Sequence, residues 1–470
     1  MRYPNNKTKI VCTIGPATDS IEMMESLLRA GMNIARLNFS HGDFSSHAQI
    51  IKRLRQAATN TGQRLAIMAD LPGPKMRIGK LKEEPLFLHK GGDFILTTEN
   101  IIGDQKQVSV TFKELPLTVK EGDELYLNDG IILLLVKKIE NNNVFCEVLV
   151  GGELRSRKGL NLPGIDLGFS AFTHHDRECL EFALKQGVDA VSQSFVANKE
   201  DILDLKQAAE TLGYKPFVIA KIERAGALDK LDEILQVSDG IMVARGDLGV
   251  EIPICSMAVV QKQIIQAAVN HAKPVITATQ MLESMNEHQR PTRAEATDVA
   301  NAILDGTDAV MLSGESAMGQ YPIDAVNMLA EIASYTEPHR KANRDQQRLG
   351  AKSGFEELIA HNLQMAVKNI QPEAVVIPTR SGNMARNVTR YRLPLWITAF
   401  CSEEATCQAL QFSYGVVAVK VETDLAEWTE FLREWFKQQQ LQQGVAVLAQ
   451  GPSPEYPCSN HSIEFLDLSL

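Results

Sequence analysis

Short runs of apolar residues recur along the chain as far as Gly314, and amphipathic stretches separate them. The runs are almost continuously apolar, which is typical of parallel strands buried on both faces. The stretches between them show helical periodicity, and Thr292 with Glu295 forms a capping box that predicts a helix start. The predicted strands are Lys9–Gly15, Met32–Asn38, Arg64–Asp70, Asp189–Phe195, Pro216–Glu223, Gly240–Asp247, Pro274–Gln280 and Asp308–Gly314. The predicted helices between them include Ser20–Ala30, Phe44–Asn60, His174–Gln186, Lys199–Leu212 and Met257–His271.

Nearly every predicted strand ends in polar residues. Pairs such as Arg36 and Asn38 are two residues apart, so both members lie on one face of their strand. Eight strand-then-helix units match a (β/α)8 TIM barrel, although an open doubly wound sheet has the same local pattern. The polar strand ends favour the barrel, because active sites of that fold lie at the carboxyl ends of its strands.

Two further domains are predicted from the remaining sequence. Residues 71–167 are rich in strand alternation and Gly-Asp turns, which predicts a small β-barrel lid inserted in the third βα loop, over the barrel mouth. A polar linker is predicted at Lys341–Ser353, followed by a helix at Phe355–Asn369 and several strand-like runs. We therefore expect a catalytic barrel from residues 1–70 and 168–340, the lid, and a C-terminal α/β regulatory domain at 341–470.

Composition narrows the functional classes. Acidic residues number 58 against 48 basic ones, and a net charge of −10 disfavours a nucleic-acid partner. The apolar runs are too short for a transmembrane helix, and the polar residues before Ile10 contain no secretory core, so no membrane association is expected. The seven cysteines include no C-x-x-C pair, which favours reduced thiols and a cytoplasmic location.

The strongest candidate chemistry lies at the ends of two neighbouring strands. P-loop, dinucleotide-binding and zincin motifs are absent from the sequence. Glu223 and Asp247 offer hard oxygen ligands suited to Mg²⁺. Lys221, two residues before Glu223, offers a point charge for a phosphoryl group. A salt bridge at the barrel mouth is the alternative interpretation of these residues.

Other polar residues at the strand ends allow two interpretations each. Arg36 could hold phosphate oxygens, and His41 could contact a nucleotide or simply occupy a turn. The hydroxyls of Thr279 and Ser313 could order a water for proton transfer, or could satisfy backbone groups. The segment around Gly246 could present backbone N–H groups to an anion, or form an ordinary turn.

Eight longer stretches carry a family resemblance: Thr8–Ala17, Asn33–Gly42, Lys158–Gly164, Lys221–Glu223, Ser238–Pro253, Ile276–Met285, Arg290–Glu295 and Asp298–Glu315. They resemble pyruvate kinases, and the resemblance spans nearly the full length of the chain. It implies a barrel with an inserted lid and a C-terminal α/β domain, assembled as a homotetramer. It also implies phosphoryl transfer from phosphoenolpyruvate to ADP, giving pyruvate and ATP in glycolysis.

The resemblance also implies a role for each matching residue. Glu223 and Asp247 would bind Mg²⁺ or Mn²⁺, while Lys221 and Arg36 would hold the phosphoryl group. The substrate carboxylate would be bound by Gly246, Asp247 and Thr279. The water that protonates the enolate would be ordered by Thr279 and Ser313. The nucleotide would be contacted by Asn38, His41, Arg77 and Lys158.

The chain departs from many family members at the position of a monovalent cation. Asn38, Ser40 and Asp70 match K⁺ ligands, but the next position is Leu71, which has no hydroxyl. An acidic residue of K⁺-dependent members is replaced by Lys75, whose ammonium could supply the missing positive charge. We therefore expect an enzyme that does not require K⁺; the alternative is that Lys75 is a solvated lid residue and K⁺ still binds.

A second ligand site is expected in the C-terminal domain. Its loop after a strand, Thr379, Arg380, Ser381, Gly382 and Asn383, resembles the family's effector loop for sugar phosphates. An ordinary helix cap is the alternative. The later loop, Gln450–Cys458, lacks the tryptophan and glycine-rich stretch of members that respond to fructose bisphosphate. This favours a monophosphate effector, such as ribose 5-phosphate, glucose 6-phosphate or AMP.

Two rival functions are consistent with part of the pattern. A barrel lyase or aldolase acting on a 2-keto acid would share the Mg²⁺ carboxylates but would not need Arg77 or Lys158. A catalytically silent sugar-phosphate sensor is a non-enzymatic alternative. It is disfavoured because the chain contains all four candidate catalytic residues, Lys221, Glu223, Asp247 and Thr279.

Overall fold

The computed structural model describes residues 3–165, 168, 170–340, 354–422, 428–441, 443–452 and 460–469. In its first part strands alternate with helices as predicted. Ser20 and Asp43 each accept a hydrogen bond from a backbone N–H of the first turn of the following helix, which satisfies a donor that the helix leaves free. The elements are β1 (Lys9–Thr13), α1 (Ile21–Ala30), β2 (Ile34–Asn38), α2 (Phe44–Thr61) and β3 (Ala66–Leu71).

The segment after β3 forms the lid. Its elements are β4 (Leu86–Leu88), β5 (Asp93–Thr97), β6 (Gln107–Ser109), α3 (Leu115–Thr118), β7 (Glu124–Leu127), β8 (Ile132–Glu140), β9 (Asn143–Val150), β10 (Gly152–Leu154) and β11 (Leu160–Asn161). One six-stranded sheet has the order β11-β7-β8-β9-β5-β6, and β10 pairs with β4. The chain enters and leaves the lid side by side, because the Ile78 N–H donates to the Lys158 carbonyl at 3.0 Å. Leu71 still belongs to the barrel strand β3.

Five more strands complete the barrel. The elements are α4 (His174–Lys185), β12 (Ala190–Gln193), α5 (Lys199–Thr211), β13 (Phe217–Ile222), α6 (Gly226–Asp229), α7 (Leu231–Val237), β14 (Gly240–Ala244), α8 (Arg245–Glu251), α9 (Met257–Asn270), β15 (Val275–Ala278), α10 (Arg293–Asp305), β16 (Ala309–Leu312), α11 (Gly314–Ala317) and α12 (Pro322–Thr336). All eight strands are parallel, and β16 pairs with β1 to close the sheet. The predicted (β/α)8 barrel is therefore confirmed, and the open sheet is excluded. The capping box of Thr292 and Glu295 is present at the start of α10.

The C-terminal part is an α/β domain built on a five-stranded sheet. Its elements are α13 (Phe355–Ile370), β17 (Ala374–Pro378), α14 (Asn383–Thr389), β18 (Ile397–Cys401), α15 (Glu404–Ala409), β19 (Val416–Lys420), α16 (Trp428–Gln438), β20 (Val445–Gln450) and β21 (Ser462–Asp467). The strand order is β19-β18-β17-β20-β21, and only the edge strand β21 is antiparallel. The predicted linker 341–353 and residues 453–459 of the later loop lie outside the described residues.

The C-terminal domain packs against the amino ends of the barrel strands. Asp308, just before β16, receives two hydrogen bonds from Arg392 at 2.6 and 2.7 Å, and Lys9 Nζ donates to the Val416 carbonyl at 2.8 Å. This leaves the carboxyl ends of the strands facing the lid. Within the described ranges, no helix is both long and apolar enough to cross a bilayer.

Candidate active site

Four charged side chains meet at the carboxyl ends of β2, β3 and β13, where the barrel opens toward the lid. Arg36 donates from Nε and Nη2 to Asp70 Oδ2 at 2.8 and 2.5 Å. Lys221 Nζ lies 3.3 Å from Asp70 Oδ1 and 2.9 Å from Glu223 Oε1. The side chains of Asp70, Lys221 and Glu223 are buried. The sequence therefore places two cations and two carboxylates where water screens them little.

These charges keep each other ionised. Burial opposes ionisation of Asp70, but the nearby Lys221 and Arg36 outweigh it and hold its pKa at about 2. Burial likewise opposes the charge of Lys221, yet Asp70 and Glu223 raise its pKa above the ordinary value. Lys221 is therefore a fixed ammonium group rather than a proton donor or acceptor at neutral pH.

Glu223 and Asp247 form the candidate metal site. Burial raises the pKa of Glu223, and repulsion from Asp247 adds to the effect, which indicates that the two carboxylates lie close together. Glu223 Oε2 accepts a hydrogen bond from the Phe195 N–H at 2.7 Å, which fixes its orientation. Among the residues that the structure describes, no group of three or more His, Cys, Asp or Glu side chains forms a metal cluster. Two carboxylates fit Mg²⁺, which takes its other ligands from water and substrate phosphates.

Asp247 lies in the first turn of α8, not at the end of a strand as the sequence predicted. β14 ends at Ala244, and α8 begins with the next residue, Arg245. The backbone has therefore already left the strand when it reaches Asp247. Asp247 nevertheless faces the cleft beneath the lid. The strand prediction was too long because apolar periodicity does not show where inter-strand hydrogen bonding stops.

Thr279 adopts a backbone conformation that is rare for a β-branched residue, with φ of 66°. Arg245 donates to its carbonyl from Nε and Nη2 at 3.2 and 2.7 Å, and Arg245 Nη1 pairs with Asp298 at 2.6 Å. The Gly246 N–H donates to Thr279 Oγ1 at 2.8 Å. A substrate carboxylate that binds the Gly246 N–H would therefore have to replace its hydrogen bond to the Thr279 hydroxyl. Sequence analysis gave Arg245 no role, although its position directly before Gly246 and Asp247 was a usable signal.

Ser313 lies just after β16 and carries a buried hydroxyl that has no hydrogen-bond partner among the described residues. Its backbone N–H is occupied by Glu315 Oε2 at 2.7 Å. A buried hydroxyl without a partner is costly unless it meets a ligand or water. The geometry is thus compatible with the predicted role in ordering a water.

A cleft lies between the lid and the barrel, lined on the lid side by Lys75 and Asn161 and on the barrel side by Asp247. Burial and the positive charges of Arg77, Lys75 and Arg36 lower the pKa of His41, so these groups share one electrostatic environment. The strand pairing at the base of the lid also brings the backbones of Arg77 and Lys158 together. His41 and Arg77 therefore lie in one basic region, and the backbone of Lys158 adjoins it.

The predicted monovalent-cation position is occupied by protein contacts. Asn38 Oδ1 accepts a hydrogen bond from the Ser40 N–H at 3.1 Å. Asp70 contacts Arg36 and Lys221, and its Oδ1 accepts a hydrogen bond from Ser192 Oγ at 2.7 Å. Lys75 is exposed on the lid side of the cleft.

The predicted effector loop connects β17 to α14. Gly382 has a φ of 80°, a conformation that favours glycine, and its N–H donates to Thr379 Oγ1 at 2.9 Å. The Asn383 N–H donates to Ser381 Oγ at 3.3 Å, and Arg380 pairs with Glu403 at 2.9 Å. The loop is an ordered, partly exposed turn.

Comparison with known proteins gives a consistent result. The family model for the pyruvate kinase barrel domain matches residues 5–326, and the model for the pyruvate kinase alpha/beta domain matches residues 357–455. A pyruvate kinase of Thermococcus litoralis is 47% identical over 423 residues, covering 88% of this chain and 89% of that protein. One of Staphylococcus saprophyticus is 43% identical over 419 residues, covering 88% and 71%. The crystal structure of a pyruvate kinase from Cryptosporidium parvum superposes with a TM-score of 0.92 at 33% identity, over 99% of this chain and 96% of that one. The chain therefore belongs to the pyruvate kinase family, whose members are phosphotransferases.

Proposed function

We propose that this chain catalyses Mg²⁺-dependent phosphoryl transfer from phosphoenolpyruvate to ADP in glycolysis. In this reaction the bond between phosphorus and the enolate oxygen breaks, and a bond to the terminal phosphate oxygen of ADP forms. The enolate carbon then takes a proton, which gives pyruvate. The observation that carries the proposal is the buried group of Arg36, Asp70, Lys221 and Glu223 at the barrel mouth.

Arg36 and Lys221 supply the positive charge that this reaction needs. Both are held by Asp70, so neither has to be reoriented as negative charge moves from the phosphoryl group to the enolate oxygen. Glu223 and Asp247 would hold Mg²⁺, or Mn²⁺ in its place. When bound, the metal supplies further neutralisation of phosphate charge.

Thr279 and Ser313 are proposed to order the water that protonates the enolate. The Thr279 hydroxyl is fixed between the Gly246 N–H and the Ala278 carbonyl. The Ser313 hydroxyl has no hydrogen-bond partner among the described residues and can therefore bind a water. Gly246, Asp247 and Thr279 would bind the carboxylate of the substrate. The Gly246 N–H now donates to Thr279 Oγ1, and a bound carboxylate would take over this hydrogen bond from the threonine hydroxyl.

Asn38, His41, Arg77 and Lys158 are proposed to contact the nucleotide from beneath and beside the lid. The shared positive environment of His41 supports a phosphate-bearing ligand in this region. Closure of the lid would exclude water, which otherwise competes as the phosphoryl acceptor.

The test is pyruvate formation from phosphoenolpyruvate, ADP and Mg²⁺, followed together with ATP formation. We expect equal amounts of the two products. Pyruvate without ATP would support a lyase on this barrel. Ligand binding without turnover would support a silent sensor.

We also propose that the reaction proceeds without K⁺. The donors of Arg36, Lys221 and Ser192 already contact Asp70, Leu71 offers no hydroxyl, and Lys75 adds a positive charge beside the cleft. The rate is therefore expected to be the same in K⁺-free buffer and after K⁺ is added. A rate that appears only with K⁺ would contradict this.

A homotetramer and a regulatory ligand complete the proposal. Apolar side chains of α13 and β21 are exposed, among them Phe355 and Phe465, which supports assembly through the C-terminal domain. The hydroxyls and N–H groups of residues 379–383 support binding of a sugar monophosphate or AMP. Light scattering would test the assembly, and activation curves with these ligands would test the effector.

The free thiols of the described cysteines support a cytoplasmic location.

A further inference from the structure

Ser192 lies inside the barrel, on β12, between the strands that carry Asp70 and Lys221. It is the register partner of Asp70 on β3 and is fully buried. Its hydroxyl donates to Asp70 Oδ1 at 2.7 Å, so the contact crosses directly from one strand to its neighbour. Neither the family resemblance nor the strand-end chemistry gives this serine a role.

Asp70 joins the two cations of the site. Its Oδ2 takes both hydrogen bonds from Arg36, and Lys221 Nζ lies 3.3 Å from Oδ1 and 3.4 Å from Oδ2. Arg36 is also tied to Thr13 Oγ1 at 3.0 Å, and Lys221 to Ser194 Oγ at 2.7 Å. These outer contacts fix each cation separately, whereas the carboxylate of Asp70 sets the distance between them.

The orientation of an aspartate carboxylate is not fixed by its own rotamer preference. The torsion about its last carbon–carbon bond is broad, so hydrogen bonds must choose the plane of the group. The charge-assisted contact from Ser192 is the shortest one to Oδ1 in the structure. Without it, Oδ1 would rely on Lys221, whose ammonium lies 3.3 Å from Oδ1 and 3.4 Å from Oδ2 and therefore favours neither orientation of the plane.

We propose that Ser192 is a positioning residue for phosphoryl transfer. Its hydroxyl fixes the plane of the Asp70 carboxylate, and Asp70 thereby holds Arg36 and Lys221 at the separation that one phosphoryl group requires. The inference rests on the proposed function, because that function places the phosphoryl group between these two cations. Small misplacements of positioning groups can cost about a hundredfold in rate.

The decisive experiment compares Ser192→Thr with Ser192→Val in the full-length enzyme. The two variants have nearly the same shape, and only threonine keeps a hydroxyl. We expect Ser192→Val to lower kcat/KM for phosphoenolpyruvate about tenfold relative to Ser192→Thr, the scale of a lost hydrogen bond to a charged group. KM for ADP should stay within about twofold, since Ser192 does not border the nucleotide region. If the larger side chains of threonine and valine prevent folding, Ser192→Ala is compared with wild type instead. We expect the same tenfold loss of kcat/KM for phosphoenolpyruvate in that variant.

Thr277→Val is the matched control. Its hydroxyl is buried in the same barrel and bonds to the neutral Thr307 hydroxyl at 2.9 Å, so the variant loses a buried side-chain hydrogen bond that does not involve Asp70. It should keep wild-type kinetics even if its thermal stability falls. A structural role for Ser192 would likewise lower stability and leave KM for phosphoenolpyruvate unchanged.

Equal kinetics of the threonine and valine variants would overturn the inference, as would wild-type kinetics of Ser192→Ala. Failure of the proposed function looks different. In that case wild type and Thr277→Val would themselves produce no pyruvate, and the inference would fall with the function on which it rests.

Discussion

Replacing Asp70 with asparagine removes the negative charge that Arg36 and Lys221 share inside the barrel. The pKa of Asp70 is about 2, against an ordinary value of 3.8. This difference means that the ionised carboxylate stabilises the folded protein by about 2 kcal/mol. Removing one partner of a buried ion pair costs about 3–5 kcal/mol, but asparagine keeps an oxygen that Ser192 can still reach. We therefore expect Asp70→Asn to lower the free energy of unfolding by about 2–4 kcal/mol at pH 7.

The effect should depend on pH with a definite sign. Because the folded pKa of Asp70 lies below its ordinary value, the stabilisation is present above about pH 4 and is lost as the pH falls toward 2. The difference between wild type and Asp70→Asn should shrink over that range. A difference that grows on acidification would contradict the assignment.

The assay must distinguish the barrel from the C-terminal domain. The three tryptophans, Trp396, Trp428 and Trp435, all lie in the C-terminal domain, so their fluorescence reports that domain during urea unfolding. Hydrogen exchange of peptides that contain β3 and β12 reports the barrel. We expect Asp70→Asn to accelerate exchange in the barrel peptides and to leave the main fluorescence transition in place.

Asp189→Asn is the matched control for Asp70→Asn. Asp189 is also paired with an arginine, Arg55, at 2.8 Å, but burial raises its pKa, so its charge costs the fold rather than stabilising it. Its replacement should therefore destabilise the barrel less than Asp70→Asn does. If the two variants were equally stable, the electrostatic reasoning would be refuted.

Three further predictions concern activity. Arg245→Lys should lower kcat about tenfold in steady-state kinetics, because a single ammonium cannot replace the two hydrogen bonds from the guanidinium that hold Thr279 at positive φ. An unchanged kcat would mean that Thr279 keeps its conformation without Arg245. Lys75→Glu should make the rate depend on added K⁺, measured in buffers with and without the ion; a K⁺-independent variant would remove the role given to this lysine. Arg77→Met and Lys158→Met should raise KM for ADP and leave KM for phosphoenolpyruvate within about twofold, whereas a lyase would be indifferent to both changes.

The strand order of the barrel was predictable because parallel buried strands leave a strong apolar pattern. Seven of the eight predicted runs contain an observed strand, and the third overlaps β3, which extends one residue further to Leu71. The helix start at Thr292 is set by local side-chain chemistry. The candidate site followed from the same pattern, since parallel strands bring their carboxyl ends together. The residues Arg36, Asp70, Lys221 and Glu223 do meet there.

What the sequence could not show were contacts that depend on three-dimensional register. Ser192 faces Asp70 only because β12 pairs with β3 across a long insertion, and no local pattern encodes that pairing. The positive φ of Thr279 is equally hidden, because its side chain favours extended backbone and a distant arginine overrides that preference. Sequence periodicity thus located the site, while tertiary hydrogen bonds determined its fine geometry.

The two ends of the lid insertion lie next to each other, which has a consequence for protein engineering of this chain. Arg77 pairs with Gly159, and the Ile78 N–H donates to the Lys158 carbonyl, so two adjacent segments connect the whole insertion to the barrel. A foreign domain whose ends lie equally close could be grafted there without stretching the host, because the host must bridge only one inter-strand spacing. The geometry of these two ends therefore predicts that the insertion can be exchanged while the eight-stranded barrel still closes.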